Sequence, residues 1–484
     1  MKIKYYIIIL IIIAGCEVNN NAKTVEDHLK VGTQLSTTEI SSIIKSYKEN
    51  PQIRDEEKHL FYLESKIPGF SGIQKTKDKT IIFIKDLSKK NRNQLISNVR
   101  NQISSQVAPN LLFEERQFTI SELAAFRDLV STFVLGNSEF KDIEFVDLNE
   151  NKGLIIIALQ NNVKPSEVEK LTEFLIHGLE IPNEAFEIEK VEPLLSLDNS
   201  LSQNTLSGSI NSHNRPLVGG LGIQRVNHEG MCTMGFIASL NGEDVFITNS
   251  HCTDQIFNTD LNTTFFQGLI TSSDIIGSEY SDPNTWSCGQ VWPPFHNCRR
   301  SDAAAIKIAP GVTFERGKIV RTEFRGDGVD GSTNIINTPD PTWSIAKIDE
   351  NPSTGAFIQK IGRTTGWTSG NIINTCVDVQ KSGGWWQMNC QTRTNYRATG
   401  GDSGSPVFRF IYDENGWEHL SLLGIHWGSS SSYSYYSPIS GIMHDLGTFY
   451  ADDPNSTYVA PSNPPGGGVI IDPCIENPLT CHEQ

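Results

Sequence analysis

Apolar and polar positions recur with different periods in two parts of the chain. Ahead of about residue 195, strand-length apolar runs are interleaved with helical spacing. Thr80–Ile84 reads as a strand and Lys89–Ile103 as a helix. Gly153–Leu159 is another apolar run of strand length. Pro165-Ser166 then opens a helix in which Ser166 and Glu169 have capping-box spacing, and Val168, Leu171 and Leu175 share one face. Phe186–Val191 alternates as a strand does. This strand-helix-strand pattern predicts an α+β domain over residues 16–195. From 217 to 449 the runs are short, and turn signals recur at Asn241-Gly242, Gly326-Asp327-Gly328 and Ser382-Gly383-Gly384. Helical spacing is hard to find there, which predicts an all-β sandwich or barrel. Between the two, residues 196–216 are polar and aperiodic and read as a linker. Residues 450–484 form a tail, with a Pro/Gly/Ser stretch at Pro461–Gly468.

Composition sharpens this division. The chain has 484 residues, too many for a single compact core. All eight Trp lie between 286 and 427, and eight of the nine Cys lie at 232 or later. The net charge of -16 carries no basic stripe, which argues against nucleic acid and against an anionic membrane surface as partners. Residues 1–15 have the form of an export signal: Lys2 and Lys4, then an apolar run from Tyr5 to Ile13 too short to span a bilayer comfortably. Ile13-Ala14-Gly15-Cys16 resembles a bacterial lipobox, which implies lipidation of Cys16 and a membrane anchor there. Glu17 after the Cys points to the outer membrane if the cell is Gram-negative. An even set of eight further Cys in an exported chain predicts disulfides. A zinc site from Cys288, His296 and Cys298 is the rival, weakened by the absence of a second ligand pair at suitable spacing. No cofactor or metal is expected.

Three segments carry chemistry. In Gly400-Gly401-Asp402-Ser403-Gly404-Ser405-Pro406-Val407 a serine sits among glycines that permit a tight turn. A nucleophilic serine needs such a turn, with backbone N–H groups aimed at the developing oxyanion. Phe246–Cys252 is a strand-like run ending in His251-Cys252. Arg299–Ile308 places Asp302 ahead of a short apolar run. Asp274 and Asp282 compete with it but lack a comparable run.

Together these segments resemble the chymotrypsin-like serine proteases, in the chain order His, Asp, Ser. Ile361–Gly370, with its Gly-x-Thr-Thr-Gly stretch, is similar to the alpha-lytic protease and streptogrisin group, and Leu217-Val218-Gly219-Gly220 is similar to the start of that group's mature domains. The resemblance covers residues 217–449. It implies two six-stranded antiparallel barrels, a triad of His251, Asp302 and Ser403, and an oxyanion hole from the Gly401 and Ser403 N–H groups. His251 would be the general base and Asp302 would orient it. It implies bridges Cys232–Cys252 and Cys288–Cys298. Cys376 and Cys390 both precede Ser403, a departure from the family's third bridge, and Cys474 and Cys481 would close a small loop. The first domain resembles the group's pro-regions, which implies a zymogen whose own pro-domain is a partner and whose substrates are proteins or peptides.

The expected substrate pocket is lined by Ala398, His426, Trp427 and Gly428. His426 stands before the Trp-Gly pair as in glutamyl endopeptidases, which implies cleavage after acidic residues. Ala398 departs from the hydroxyl often found at its position. A non-catalytic binding protein of the same fold, or an esterase, stays open at this level.

Overall fold

The computed structural model describes residues 37–460, apart from 55–56, 76–78, 103–109, 136, 138–139, 141, 195–207, 226–230, 268–274, 289–296, 349–352 and 381–385. Cys16, His296, Asp274, Cys474 and Cys481 lie outside the described residues, as do the export signal and the Pro/Gly stretch.

The N-terminal part mixes helices and strands. Strands Phe70–Lys75 and Lys79–Lys85 pair antiparallel, and Asn110–Arg116 joins in parallel. The helix Ile120–Phe133 packs behind, capped by Thr119 with Glu122 returning the bond. Strands Ile143–Asn149, Leu154–Gln160 and Phe186–Val191 follow, the last two parallel across the helix Pro165–Glu173. The predicted strand-helix-strand unit is therefore present. Its cap differs: the helix starts one residue before Ser166, and Glu167 accepts from the Lys164 N–H at 3.2 Å. Pro165 occupies the first turn, where its missing N–H costs nothing, and this moves the cap back to Lys164. The helix predicted over Lys89–Ile103 begins at Arg92, because Leu87–Lys89 is a separate 3-10 turn.

The C-terminal part is mostly β. Eight strands form one antiparallel sheet in the order Phe449–Tyr450, Phe236–Leu240, Glu243–Thr248, Ala304–Ile308, Ile275–Ser281, Thr264–Phe266, Gly222–Arg225 and Met231–Thr233. The remaining strands belong to a larger network that includes Phe357–Gly362, Gly366–Gln380, Trp386–Thr394, Pro406–Tyr412, Glu418–Ser429 and Ser434–Pro438. The pairing among the described residues does not by itself resolve these strands into two six-stranded barrels. The long hairpin of Gly366–Gln380 and Trp386–Thr394 runs on into the N-terminal part, where Asp378 pairs with Val146 and Val379 with Phe145. An edge strand with free N–H and C=O groups recruits its neighbour, and one sheet spans both parts.

Side chains seal that seam. Phe145, Ile156 and Ala158 from one side and Val377, Val379 and Met388 from the other share one buried cluster. Arg54 makes a two-pronged bond to Asp378, which also accepts from Ser131 Oγ at 2.6 Å and the Cys390 N–H at 3.1 Å. Burial alone would raise the Asp378 carboxyl, but the Arg54 guanidinium outweighs it and holds it below its ordinary value. Asp147 is buried against Asn374, whose amide donates to it at 2.6 Å. Burial, only partly offset by Arg393, raises Asp147 to about 7.

Among the described residues three disulfides are formed, Cys232–Cys252, Cys288–Cys298 and Cys376–Cys390. With both sulfurs of Cys288 and Cys298 spent on each other, they are not thiolate ligands, and the zinc reading falls. Residues 208–216 pack onto the C-terminal part rather than hanging between the two, with Ile210 fully buried in its core. The beginning of the tail does the same: Ala451 is buried, and Asp453 pairs with Lys318 at 3.1 Å. No helix among the described residues is long and apolar enough to cross a membrane.

Candidate active site

Strand register brings His251 and Asp302 together. Glu243–Thr248 and Ala304–Ile308 pair so that Thr248 faces Ala304. The chain leaves the first strand into a single 3-10 turn, Ser250–Cys252, while Asp302 precedes the second by two residues. The acid therefore lies beside the turn that carries the imidazole. His251 Nδ1 is 2.6 Å from Asp302 Oδ2, and the His251 N–H donates to Oδ1 at 3.0 Å. An ionised carboxylate only accepts, so Nδ1 carries the proton and Nε2 is left as an acceptor. That nitrogen is 2.7 Å from Ser403 Oγ. The Cys232–Cys252 bridge pins the turn from behind.

Asp302 is itself braced. Its carbonyl accepts from Asn249 Nδ2 at 2.6 Å, and its N–H donates to Ser437 Oγ at 3.0 Å. Of the two competing acids, Asp282 faces away from His251. It accepts from Ser250 Oγ at 2.7 Å and pairs with the fully buried Arg299. Arg299 and Asp445 hold the backbone just ahead of Asp302, with Asp445 accepting from the Arg300 and Ser301 N–H groups. Sequence reasoning did not find this support.

The Ser403 loop is fixed by close packing and by one buried cation. Gly401 and Gly404 have φ of +91° and +88°. A Cβ on Gly404 would lie 2.2 Å from the Thr233 carbonyl, and one on Gly401 2.5 Å from Thr364 Oγ1. Both positions thus require glycine. The Gly400 carbonyl accepts from Thr364 Oγ1 at 2.7 Å, and the Asp402 carbonyl accepts from the Ser405 N–H at 2.9 Å. A trans peptide points its N–H opposite to its C=O. Anchoring those two carbonyls therefore turns the N–H groups of Gly401 and Ser403 to the other face of the loop.

Asp402 points inward. It accepts from the N–H groups of Thr364, Thr365 and Thr399 and from Thr365 Oγ1, and it lies 2.9 Å from Lys360 Nζ. Burial alone would raise this carboxyl. The Lys360 ammonium, with the Thr365 hydroxyl, outweighs it and keeps Asp402 below its ordinary value. Lys360 is fully buried. It was not singled out from sequence, although a lone lysine between Ile358 and Ile361 in a strand-like run was a usable signal.

The expected pocket residues lie on and beside Glu418–Ser429. His426 is fully buried, with Nδ1 3.1 Å from Tyr396 Oη and Nε2 without a hydrogen-bond partner among the described residues. Burial, reinforced by the Lys360 ammonium, lowers its imidazole to about 3, so it is neutral at ordinary pH. Trp427 is buried, and its indole N–H donates to Gln391 Oε1 at 2.9 Å. The Ala398 carbonyl accepts from Ser429 Oγ at 3.4 Å. Leu194 from the N-terminal part packs with Trp427 and Tyr435, and a Cβ on Gly428 would meet it at 3.4 Å.

No known family profile and no curated protein matches this chain. Some solved structures are similar to about half of this chain. Thermobifida fusca protease A is 19% identical with a TM-score of 0.33, over 49% of this chain and 98% of that one. Nocardiopsis protease is 18% identical with a TM-score of 0.33, over 49% and 98%. A glutamic-acid-specific serine protease, described as using a histidine triad in substrate binding, is 20% identical with a TM-score of 0.32, over 48% and 100%.

Proposed function

We propose that this chain is a serine endopeptidase working through an acyl-enzyme. The observation that carries this reading is the unbroken line from Asp302 through His251 to Ser403, beside two N–H groups whose peptide planes are held from behind. Ser403 Oγ attacks the carbonyl carbon of a peptide bond while His251 Nε2 takes its proton. The charge that develops on the substrate oxygen is met by the N–H groups of Gly401 and Ser403. Asp302 stabilises the imidazolium, which then protonates the leaving amine. Water repeats the cycle to release the acid. A fluorophosphonate tests this directly: the wild type is labelled on Ser403 and cleaves a protein substrate. An unlabelled protein points to a binding protein of this fold, and one that cleaves esters but no peptides points to an esterase.

A preference for acidic side chains rests on His426. With Tyr396 Oη as the donor to Nδ1, the neutral imidazole carries its proton on Nε2, which has no hydrogen-bond partner among the described residues and suits a carboxylate. A substrate without that carboxylate would leave the donor buried and unpaired, which is strongly discriminating. The test is a peptide library; cleavage after Lys, Arg or Phe would overturn the preference.

The N-terminal part is read as a pro-domain that covers the cleft, because Leu194 lies against Gly428 and Trp427. Export and lipidation of Cys16 complete the reading. A Cys16→Ser chain that stays in the membrane fraction would refute the anchor.

A further inference from the structure

The segment just ahead of Leu217 is tied to the C-terminal part by its backbone. The Ile210 N–H donates to the Thr333 carbonyl at 2.9 Å, and its own carbonyl accepts from the Gly222 N–H at 2.9 Å. Ser209 bridges to Asn334, and the Gly208 carbonyl accepts from the Ile335 N–H at 2.7 Å. This strap is held like a short edge strand, with Ile210 as its buried anchor.

Its next residue reaches toward the Ser403 loop. Asn211 Nδ2 donates to the Arg363 carbonyl at 2.9 Å, and Asn211 Oδ1 accepts from Arg363 Nε at 3.1 Å. A side-chain amide suits a carbonyl and a guanidinium together, since it offers a donor and an acceptor side by side. The carbonyl it grips belongs to the Arg363–Thr364 peptide, whose N–H donates to Asp402 at 2.9 Å. Thr364 Oγ1 in turn holds the Gly400 carbonyl, which turns the Gly401 N–H outward. Arg363 also packs under the loop: a Cβ on Gly401 would meet its Cγ and Cδ at 3.4 Å.

We infer that Asn211 is a positioning residue for the oxyanion donors, and that the working enzyme keeps the strap that carries it. This rests on the protease reading above. It adds that a chain beginning at Leu217, the start that the sequence suggests, lacks part of what orients Gly401. Asn211 touches neither substrate nor Ser403. It acts by fixing one peptide plane, two hydrogen bonds away from the N–H that meets the developing charge. Its loss is therefore expected in turnover and not in substrate capture.

The experiment compares the full-length wild type with Asn211→Ala and Asn211→Asp. Asp keeps the acceptor for Arg363 Nε and loses only the donor to the Arg363 carbonyl. The expected result is a fall in kcat of about tenfold or more in both, below the hundredfold or greater cost of deleting an oxyanion donor outright. KM stays within about twofold, and the fraction of Ser403 labelled by fluorophosphonate at completion is unchanged. The mass of the active wild-type species is expected to include Asn211. Unchanged kcat in a labelled, folded Asn211→Asp chain overturns the inference alone. So does an active species that starts at Leu217 and turns over as fast as one retaining the strap. A wild type that neither labels nor cleaves overturns the protease reading and this inference with it.

Discussion

Two buried ion pairs hold the two most consequential places in this molecule, and they are built differently. Lys360–Asp402 lies wholly within the C-terminal part, under the Ser403 loop, and both side chains are fully buried. Arg54–Asp378 joins the N-terminal part to the long hairpin, with Asp128 a second acid 3.5 Å from Arg54. Around the first pair, Asp402 is surrounded by backbone N–H donors, which with Lys360 hold its carboxyl below the ordinary value. Around the second lie carboxyls that burial has pushed up, Asp147 among them. Close donors thus favour the charged form of Asp402, whereas burial favours the neutral form of Asp147 near the seam.

The largest effect sharpens the functional side of this contrast. Ser403→Ala is expected to lower turnover by roughly a millionfold while leaving the seam untouched, read from peptide cleavage and an unchanged denaturation midpoint. Near-normal cleavage would remove Ser403 from the chemistry. Lys360→Met is next. It strands a buried carboxylate, at a cost of about 3–5 kcal/mol, and it should abolish labelling of Ser403 before the fold is lost. Labelling at the wild-type rate would show that the pair does not shape the loop.

The seam is tested best in a Ser403→Ala background, where self-cleavage cannot interfere. Asp147 is raised when folded, so the stability it lends is complete below its unfolded pKa of about 4 and is lost as pH climbs through about 7. Between pH 5 and pH 7 this amounts to about 2–3 kcal/mol, seen as a falling guanidinium midpoint. Asp147→Asn should flatten that slope; a slope that persists unchanged would assign it to other groups. The smallest change expected is Asp378→Asn. Asp128 still compensates Arg54, so the loss is about 2 kcal/mol, less than for a pair with no reserve. A loss as large as that of Lys360→Met would erase the contrast between the two pairs.

What the sequence disclosed follows from how local each feature is. Gly401, Ser403 and Gly404 are neighbours in one turn, so the loop could be read from eight residues. His251 and Asp302 were legible because strand-like runs flank them and the register of two strands does the rest. Asp282, close to Asp302 in both chain and space, lacks the apolar run that follows Asp302, and the structure turns it to Ser250 rather than His251. The roles of Lys360, Arg299 and Asn211 were hidden, since each works through a partner 40 or more residues away, and only the lone lysine in its apolar run left a mark. The union of the hairpin with the N-terminal strands was equally hidden. Edge pairing depends on backbone groups, which leave no mark on residue type. The same holds for the strap at 208–216: its polar composition reads as a linker, yet one buried isoleucine fastens it.

The cation beneath the Ser403 loop comes from mid-strand, at Lys360, and not from a chain end. A loop that waited for a newly cut amino terminus would be slack in the precursor and would tighten only after the cut. Here the counter-charge is present as soon as the C-terminal part has folded. If the N-terminal part is the pro-domain proposed above, restraint falls to cover, with Leu194 lying against Gly428, in the way a sheath restrains a blade already ground. The expectation is full-rate turnover from the instant the cover leaves, with no lag in a stopped-flow record. A lag on the scale of loop ordering would mean that the edge was still being shaped.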